Sequence, residues 1–388
     1  MEFRQKMKLY DKESLKDFAA ELGLSKVSQL RKAELIERIA EEFLNPQKLF
    51  YRLAVLNDDA LELWQNASEG SLPIAPRDRA FDTAFTLDRM EIAEFYEASE
   101  LRTLTDVWEI YEKEIDGATF EAYRAKALWV WKCLCWAEGM YITTPEDIFL
   151  KVVNKKKNMR VTAGELREIF DNFPPDCKNV LRIDNFYIDS EYAYNLNALA
   201  AIHARQADKD YYIPSIAEVE EFFETGALLS HKPYQDMLRF LTGDMKMKRD
   251  EAEDLLYETW IRSASDESPT KTMQWLFGEL VFDGEEQLNK AVQLFTNLSN
   301  ATNLPINRGY APADMPHQAL KPGQMPKIVP GSKAMAKMLK EGLPEIRDLG
   351  FDVDFAAGEA LQKEREKVGC NDPCPYGSGK KCKKCCGR

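Results

Sequence analysis

The last nineteen residues, CNDPCPYGSGKKCKKCCGR, hold five of the chain's eight cysteines, interleaved with four lysines. A peptide this short cannot bury an apolar core, so metal binding would have to supply its folding energy. Thiolates ligate zinc tetrahedrally, and four of them close the shell. A helical turn over KKCKKCC would set Cys382, Cys385 and Cys386 at i, i+3 and i+4 on one face. Cys374 lies across the turn at Gly377 and Gly379, whose tolerance of positive φ allows the reversal, and can fold back as the fourth ligand. Lys380, Lys381, Lys383 and Lys384 would lower the thiol pKa values and leave a positive rim on the closed Zn2+ site.

The start of the chain, MEFRQKMKLYDK, has no apolar signal region, and the greasiest stretch, ALWVWKCLCW, is broken by Lys132 and too short to span a bilayer. The expected setting is the cytoplasm, with no transmembrane segment, where thiols stay reduced and clustered cysteines read as metal ligands. At 388 residues there is room for two or three domains. Charge is uneven. The total is −13, yet residues 1–48 carry +1 and residues 368–388 carry +4, which leaves −18 for the body. An acidic body repels phosphate backbones, so nucleic-acid contact is expected only at the ends.

The pattern in between predicts a mainly α, multi-domain helical protein. Residues 1–46 read as a two-helix module. Asp11 is the N-cap, with Tyr10 and Leu15 placed as a hydrophobic staple, and Gly23 ends the first helix. The second helix is expected from about Arg31 to Phe43, with Leu35, Ile36 and Ile39 inward and a stop before Pro46. Residues 49–303 form an acidic, mostly helical body, with a possible subdomain boundary near 175–195. Within it Thr144 is placed as a cap with Pro145 at the first helical position, and TAGE (162–165) and SIAE (215–218) match capping boxes. VLRIDNFYID (180–189) reads as either a strand or a buried helix. Six prolines between Pro305 and Pro330 mark a connector, taken as 304–367 with short helices near 333–342 and 355–367, and residues 368–388 are the tail.

The tail GCNDPCPYGSGKKCKKCCG resembles the SEC-C motif, the zinc tail known from the C-terminus of SecA-type translocase motors. The resemblance places Cys374, Cys385 and Cys386 on family ligand positions. Tyr376 stands where the second ligand belongs, and Cys382 stands at the family's aromatic position, which reads as an exchange of the two. Cys370 is the rival fourth ligand. The resemblance also implies that the lysine rim docks on an acidic protein surface. A phosphate-loop reading of GSGKK fails, because the preceding glycine is missing and Lys381 replaces the Ser/Thr that would hold magnesium. The stretch 294–315 resembles a segment preceding SEC-C tails in other bacterial proteins, with Asn297, Asn300 and Asn303 expected to hold its turn by side-chain-to-backbone bonds.

ELGLSKVSQLRKAELIERIAEEF resembles the N-terminal helical subdomain of the termination factor Rho and the related SAP modules. That resemblance implies contact with RNA, DNA or a ribosome through Lys26, Ser28, Gln29, Arg31 and Lys32. Basic side chains and backbone N–H donors at a helix N-terminus are a sensible anion site. The three histidines, His203, His231 and His317, fall in no hydrolase or zinc-protease motif, so no enzymatic activity is expected. Cys133 and Cys135, two apart on a helix between tryptophans, read as core, and Cys177 as a loop thiol with nothing to activate it. The expected function is a non-enzymatic adaptor that binds zinc and nucleic acid and docks its tail on a protein. The alternative is a transcription-termination or regulatory factor whose tail is structural.

Overall fold

The helical periodicity is realised in a computed structural model that describes residues 1–315 except 77, 79, 116, 266 and 267. Beyond 315 it describes 327–328, 336–337, 340, 352–353 and 355–356. The chain divides into two compact units, Met1–Met315 and Pro316–Arg388. The first is mainly helical, as the sequence pattern requires.

Helices α1 (Phe3–Met7), α2 (Lys12–Glu21) and α3 (Lys32–Phe43) form the front. Asp11 caps α2 by accepting from the Ser14 N–H at 2.8 Å. At its other end Gly23 adopts φ +77°, and the N–H groups of Gly23 and Leu24 return to the carbonyls of Ala20 and Ala19, a Schellman closure. Leu35, Ile36 and Ile39 are buried, as the stripe on α3 predicts. Pro46 opens the next helix, α4 (Pro46–Leu53), at its first position. Asn45 caps that helix through the N–H groups of Gln47 and Lys48.

This front shares one core with the elements that follow. Phe3 stacks on Phe43 at 4.2 Å, and the Arg52 guanidinium lies 4.5 Å from the Phe43 ring centre. Arg52 in turn grips Asp176 through two bonds of 2.7 and 2.6 Å. Lys6, with a side chain only 5% exposed, pairs with Glu91 at 2.7 Å and Asp88 at 3.0 Å and also donates to the carbonyls of Asp88 and Ala93.

Next come α5 (Asp58–Asn66), β1 (Leu72–Pro73), α6 (Ala80–Arg89), β2 (Ala93–Tyr96) and β3 (Glu100–Thr103). The three strands make a small antiparallel sheet in the order β1-β3-β2. Its hairpin turns through Glu97, Ala98 and Ser99, the first two at positive φ and the Ser99 N–H returning to the Tyr96 carbonyl. Helices α7 (Thr105–Glu114) and α8 (Gly117–Tyr141) follow. α8 is apolar nearly all round, with Phe120, Trp129, Cys133, Trp136 and Met140 buried, so it runs through the interior.

β4 (Thr143–Pro145), α9 (Glu146–Val153), α10 (Ala163–Asn172), β5 (Val180–Ile183) and β6 (Phe186–Asp189) complete the middle. Here two expectations are resolved. The apolar run 180–189 is a β-hairpin, turning at Asp184 with φ +53°. Thr144 is not a helix cap. It lies in β4 opposite Tyr187 of β6, and α9 begins one residue later than expected, with Pro145 as its N-cap. The capping boxes at Thr162 and Ser215 form as expected, each with reciprocal bonds to the glutamate three residues on.

The rear of the unit contains α11 (Ser190–Ala193), α12 (Leu196–Gln206), α13 (Ile216–Thr225), α14 (Lys232–Gly243), α15 (Arg249–Ala264), α16 (Pro269–Gly278) and α17 (Glu285–Ala301). α13 packs tightly on α8. A Cβ added at Gly139 would come within 2.6 Å of the Phe222 ring. After α17 the chain folds back. Asn303 donates to the Gly309 carbonyl at 2.6 Å, as expected of it, whereas Asn297 stays within α17 and accepts from Gln293. Residues 304–315, proline-rich in composition, belong to this unit, held in part by a bond from Gln206 to the Pro305 carbonyl. In the second unit β7 (Lys327–Ile328) and β8 (Asp352–Val353) pair in parallel. Most of the helices expected over 333–342 and 355–367, and all of 368–388, lie outside the described residues.

Lys6→Met should leave Glu91 buried without its cation. The expected cost is about 3–5 kcal/mol, read as a lower urea midpoint, and a second change of Glu91→Leu should recover most of it.

Candidate functional site

The segment between α2 and α3 follows directly from its apolar anchors. Leu24, Val27 and Leu30 pack against the core, which turns Lys26, Ser28, Gln29, Arg31 and Lys32 to solvent. Lys26 sits at φ +61°. All five side chains expected to meet nucleic acid are therefore accessible on one loop and the first turn of α3.

The anion-binding capacity of that turn is smaller than the sequence suggests. The Arg31 N–H is already taken by the Glu34 carboxylate at 2.7 Å, so an acidic group occupies part of the helix N-terminus. The Lys32 ammonium is drawn back to the Lys8 carbonyl at 2.9 Å, and Asp11 is close enough to be held below the usual carboxylate range, chiefly by its bonds to Ser14 and to a lesser extent by Lys32.

The surroundings of the first unit's cysteines, Cys133 buried and Cys135 and Cys177 partly buried, disfavour their thiolate forms. Burial pushes Cys133 well up and Cys135 up to about 12. Cys177 is also raised to about 12 by burial, which outweighs the nearby Arg52 guanidinium, 3.5 Å from its sulfur. A thiol so far from ionisation is a poor nucleophile and a poor metal ligand. The core reading holds for Cys133, which is fully buried along with Trp136, whereas Cys135 is only partly buried. Sequence reasoning missed the Arg52–Asp176 pair that holds Cys177, because its members are 124 residues apart.

Two histidines are described. His203 shares a hydrogen bond of 3.0 Å with Thr143. His231 stands 3.7 Å from Glu218, whose carboxylate also accepts from Tyr212 at 2.8 Å and from the Ser215 N–H at 2.7 Å. Burial pushes Glu218 up, but the His231 imidazole at 3.7 Å and the bonds from Ser215 and Tyr212 outweigh it and hold the group at about 2. His231 is raised by the Glu218 carboxylate against the opposing effect of burial. Among the described residues no group of His, Cys, Asp and Glu is arranged to hold a metal ion, and no helix is long and apolar enough to cross a membrane. The candidate ligands Cys370, Cys374, Cys382, Cys385 and Cys386 and the four rim lysines lie outside the described residues, as does His317.

No family model matches the chain, and no solved structure matches it. The Rho-like and SAP-like resemblance of residues 1–46 thus gains no support from these comparisons. Short stretches are similar to the protein translocase subunit SecA. The SecA of Syntrophus aciditrophicus (strain SB) is 65% identical over 34 residues, which is 9% of this chain and 4% of that protein. The SecA of Oleidesulfovibrio alaskensis (strain ATCC BAA-1058 / DSM 17464 / G20) is 43% identical over 72 residues, 18% of this chain and 8% of that protein. The likeness is to the SecA C-terminal region, so the chain carries a short SEC-C-like region. It spans less than a tenth of the length of the curated relatives it matches.

The Glu218 cluster sets a pH dependence. Its carboxyl, depressed from 4.5 to about 2, adds stability that is complete above 4.5 and is lost as pH falls toward 2. His231, raised above 6.5, adds stability that is complete below 6.5 and is lost as pH rises through its higher folded value. Melting temperature followed from pH 6 down to pH 2 should therefore fall less steeply in Glu218→Gln than in the parent chain.

Proposed function

We propose that this protein is a non-enzymatic adaptor whose C-terminal tail folds around zinc and docks on an acidic protein partner. The observation that carries the reading is the SEC-C-like similarity to SecA. Cys374, Cys382, Cys385 and Cys386 supply a four-thiolate set, which suits zinc by both number and softness. The metal would supply the folding energy of the tail. The chain's own contribution is the presentation of Lys380, Lys381, Lys383 and Lys384 on the closed site, a cationic face on an otherwise acidic molecule.

The first unit makes this testable, because its three thiols are held far from ionisation and leave the tail as the reactive set. Iodoacetamide at pH 7 should alkylate the tail after chelation and spare it when zinc is bound. Cys382→Ser should lower zinc content, measured by mass spectrometry of the metal, more than Cys370→Ser does. Equal losses, or the reverse order, would reject the exchange of Tyr376 and Cys382, and no bound zinc in the parent chain would reject the reading itself.

A second reading adds contact with RNA or DNA through residues 1–46. It is favoured by the common exposure of Lys26, Ser28, Gln29, Arg31 and Lys32. Binding to labelled single-stranded RNA and DNA should then weaken with salt and vanish in Arg31→Glu/Lys32→Glu. Absence of binding at low salt would leave the front as a packed part of the body.

A further inference from the structure

A cavity of about 320 Å3 lies where several segments of the first unit converge. Its lining comes from the α4–α5 connection, the ends of α5 and α6, the middle of α8, the loop at Asp176 and Cys177, and α13. The size falls within the range of small-molecule sites, about 300–1,000 Å3. Leu56, Met90, Trp131 and Phe223 give it apolar and aromatic walls.

The polar groups of the wall are mostly donors; Asn179 is the exception, its NH2 spent on Glu138 at 3.3 Å and its oxygen left as an acceptor. Asp176 is the single carboxylate in the lining, and both its oxygens are held by Arg52. Cys177 stays a neutral thiol at neutral pH. Asn57 spends its side-chain oxygen on the Ala60 N–H at 2.7 Å, which leaves its NH2 group as a donor. Arg89, at the end of α6, lines the cavity and has no ion-pair partner among the described residues. A second cation stands close by, the Lys132 ammonium 5.1 Å from the Phe223 ring centre. In a chain of net charge −13 this is a place where cations and donors outnumber acceptors around an apolar space.

We propose that this cavity is a binding site for a small apolar carboxylate, with Arg89 pairing with the carboxylate and Trp131 and Phe223 flanking the apolar part. The carboxylate would gain a charge-assisted, two-point hydrogen bond from the guanidinium. The apolar part would leave water against walls that are already formed. Its lining residues all belong to the first unit, so this proposal stands or falls independently of the zinc reading.

The test is calorimetric titration of the full chain with phenylacetate and with the isosteric but neutral phenylacetamide. The acid should bind about tenfold or more tightly than the amide, the ratio that a charged hydrogen bond supports. Arg89 is exposed, so Arg89→Gln should keep the parent melting temperature while removing the preference for the acid. Thr86→Trp, at an exposed lining position, should block both probes. Equal binding of acid and amide to the parent chain would reduce the cavity to an apolar void and overturn the proposal. So would a preference that survives Arg89→Gln, or no heat from either probe at about 10 mM, a weakness below any useful affinity.

Discussion

The Arg52 guanidinium, packed on Phe43 and bonded twice to Asp176, is the contact through which the front of the chain becomes part of the body. Both side chains of the pair are 5% exposed. Two buried charges are tolerated only when geometry and further hydrogen bonds offset desolvation, and here the bidentate fork meets that demand. Phe43 receives Phe3 as well as the cation, so α1, α3, α4 and the loop at Asp176 are tied at one point. The Lys6–Glu91 pair repeats the device one turn along α1 from Phe3, where one ammonium serves two carboxylates and two carbonyls.

This fusion bears on function. A two-helix module on a tether could swing onto nucleic acid, whereas residues 1–46 are packed into a unit of 315 residues. Their loop surface remains open, but Glu34 sits at the helix terminus where a phosphate would approach. Electrostatics therefore favour the other end of the chain, where the positive charge is concentrated against an acidic remainder.

Much of the architecture was legible because it is local. Asp11, Thr162 and Ser215 act as caps through bonds to residues three positions away, and the stripe on α3 is buried as its spacing demands. The strands were harder. The β2–β3 hairpin turns through Glu97, Ala98 and Ser99 without glycine or asparagine, the residues that most often mark such a turn. Thr144 followed by Pro145 is a sound cap pattern, yet pairing with β6, more than forty residues onward, claimed it for a strand. The candidate site divides the same way. The five exposed residues of the front loop could be named from sequence, while the pairing of Arg52 with Asp176 beside Cys177 and the lining of the cavity come from segments that meet only in the fold.

By itself the sequence determined the mainly helical character, several helix ends such as those at Asp11, Gly23, Thr162 and Ser215, and the set of thiols and lysines carried by the tail. These rest on propensity, on bonds spanning three or four residues, and on which side chains can ligate at all. Only the tertiary structure decided that the front is part of a larger core, that residues 180–189 form a hairpin, and that the surroundings of Cys133, Cys135 and Cys177 push their thiols up. Burial and strand pairing depend on residues far away in the chain, and a local pattern carries no information about which of them will arrive.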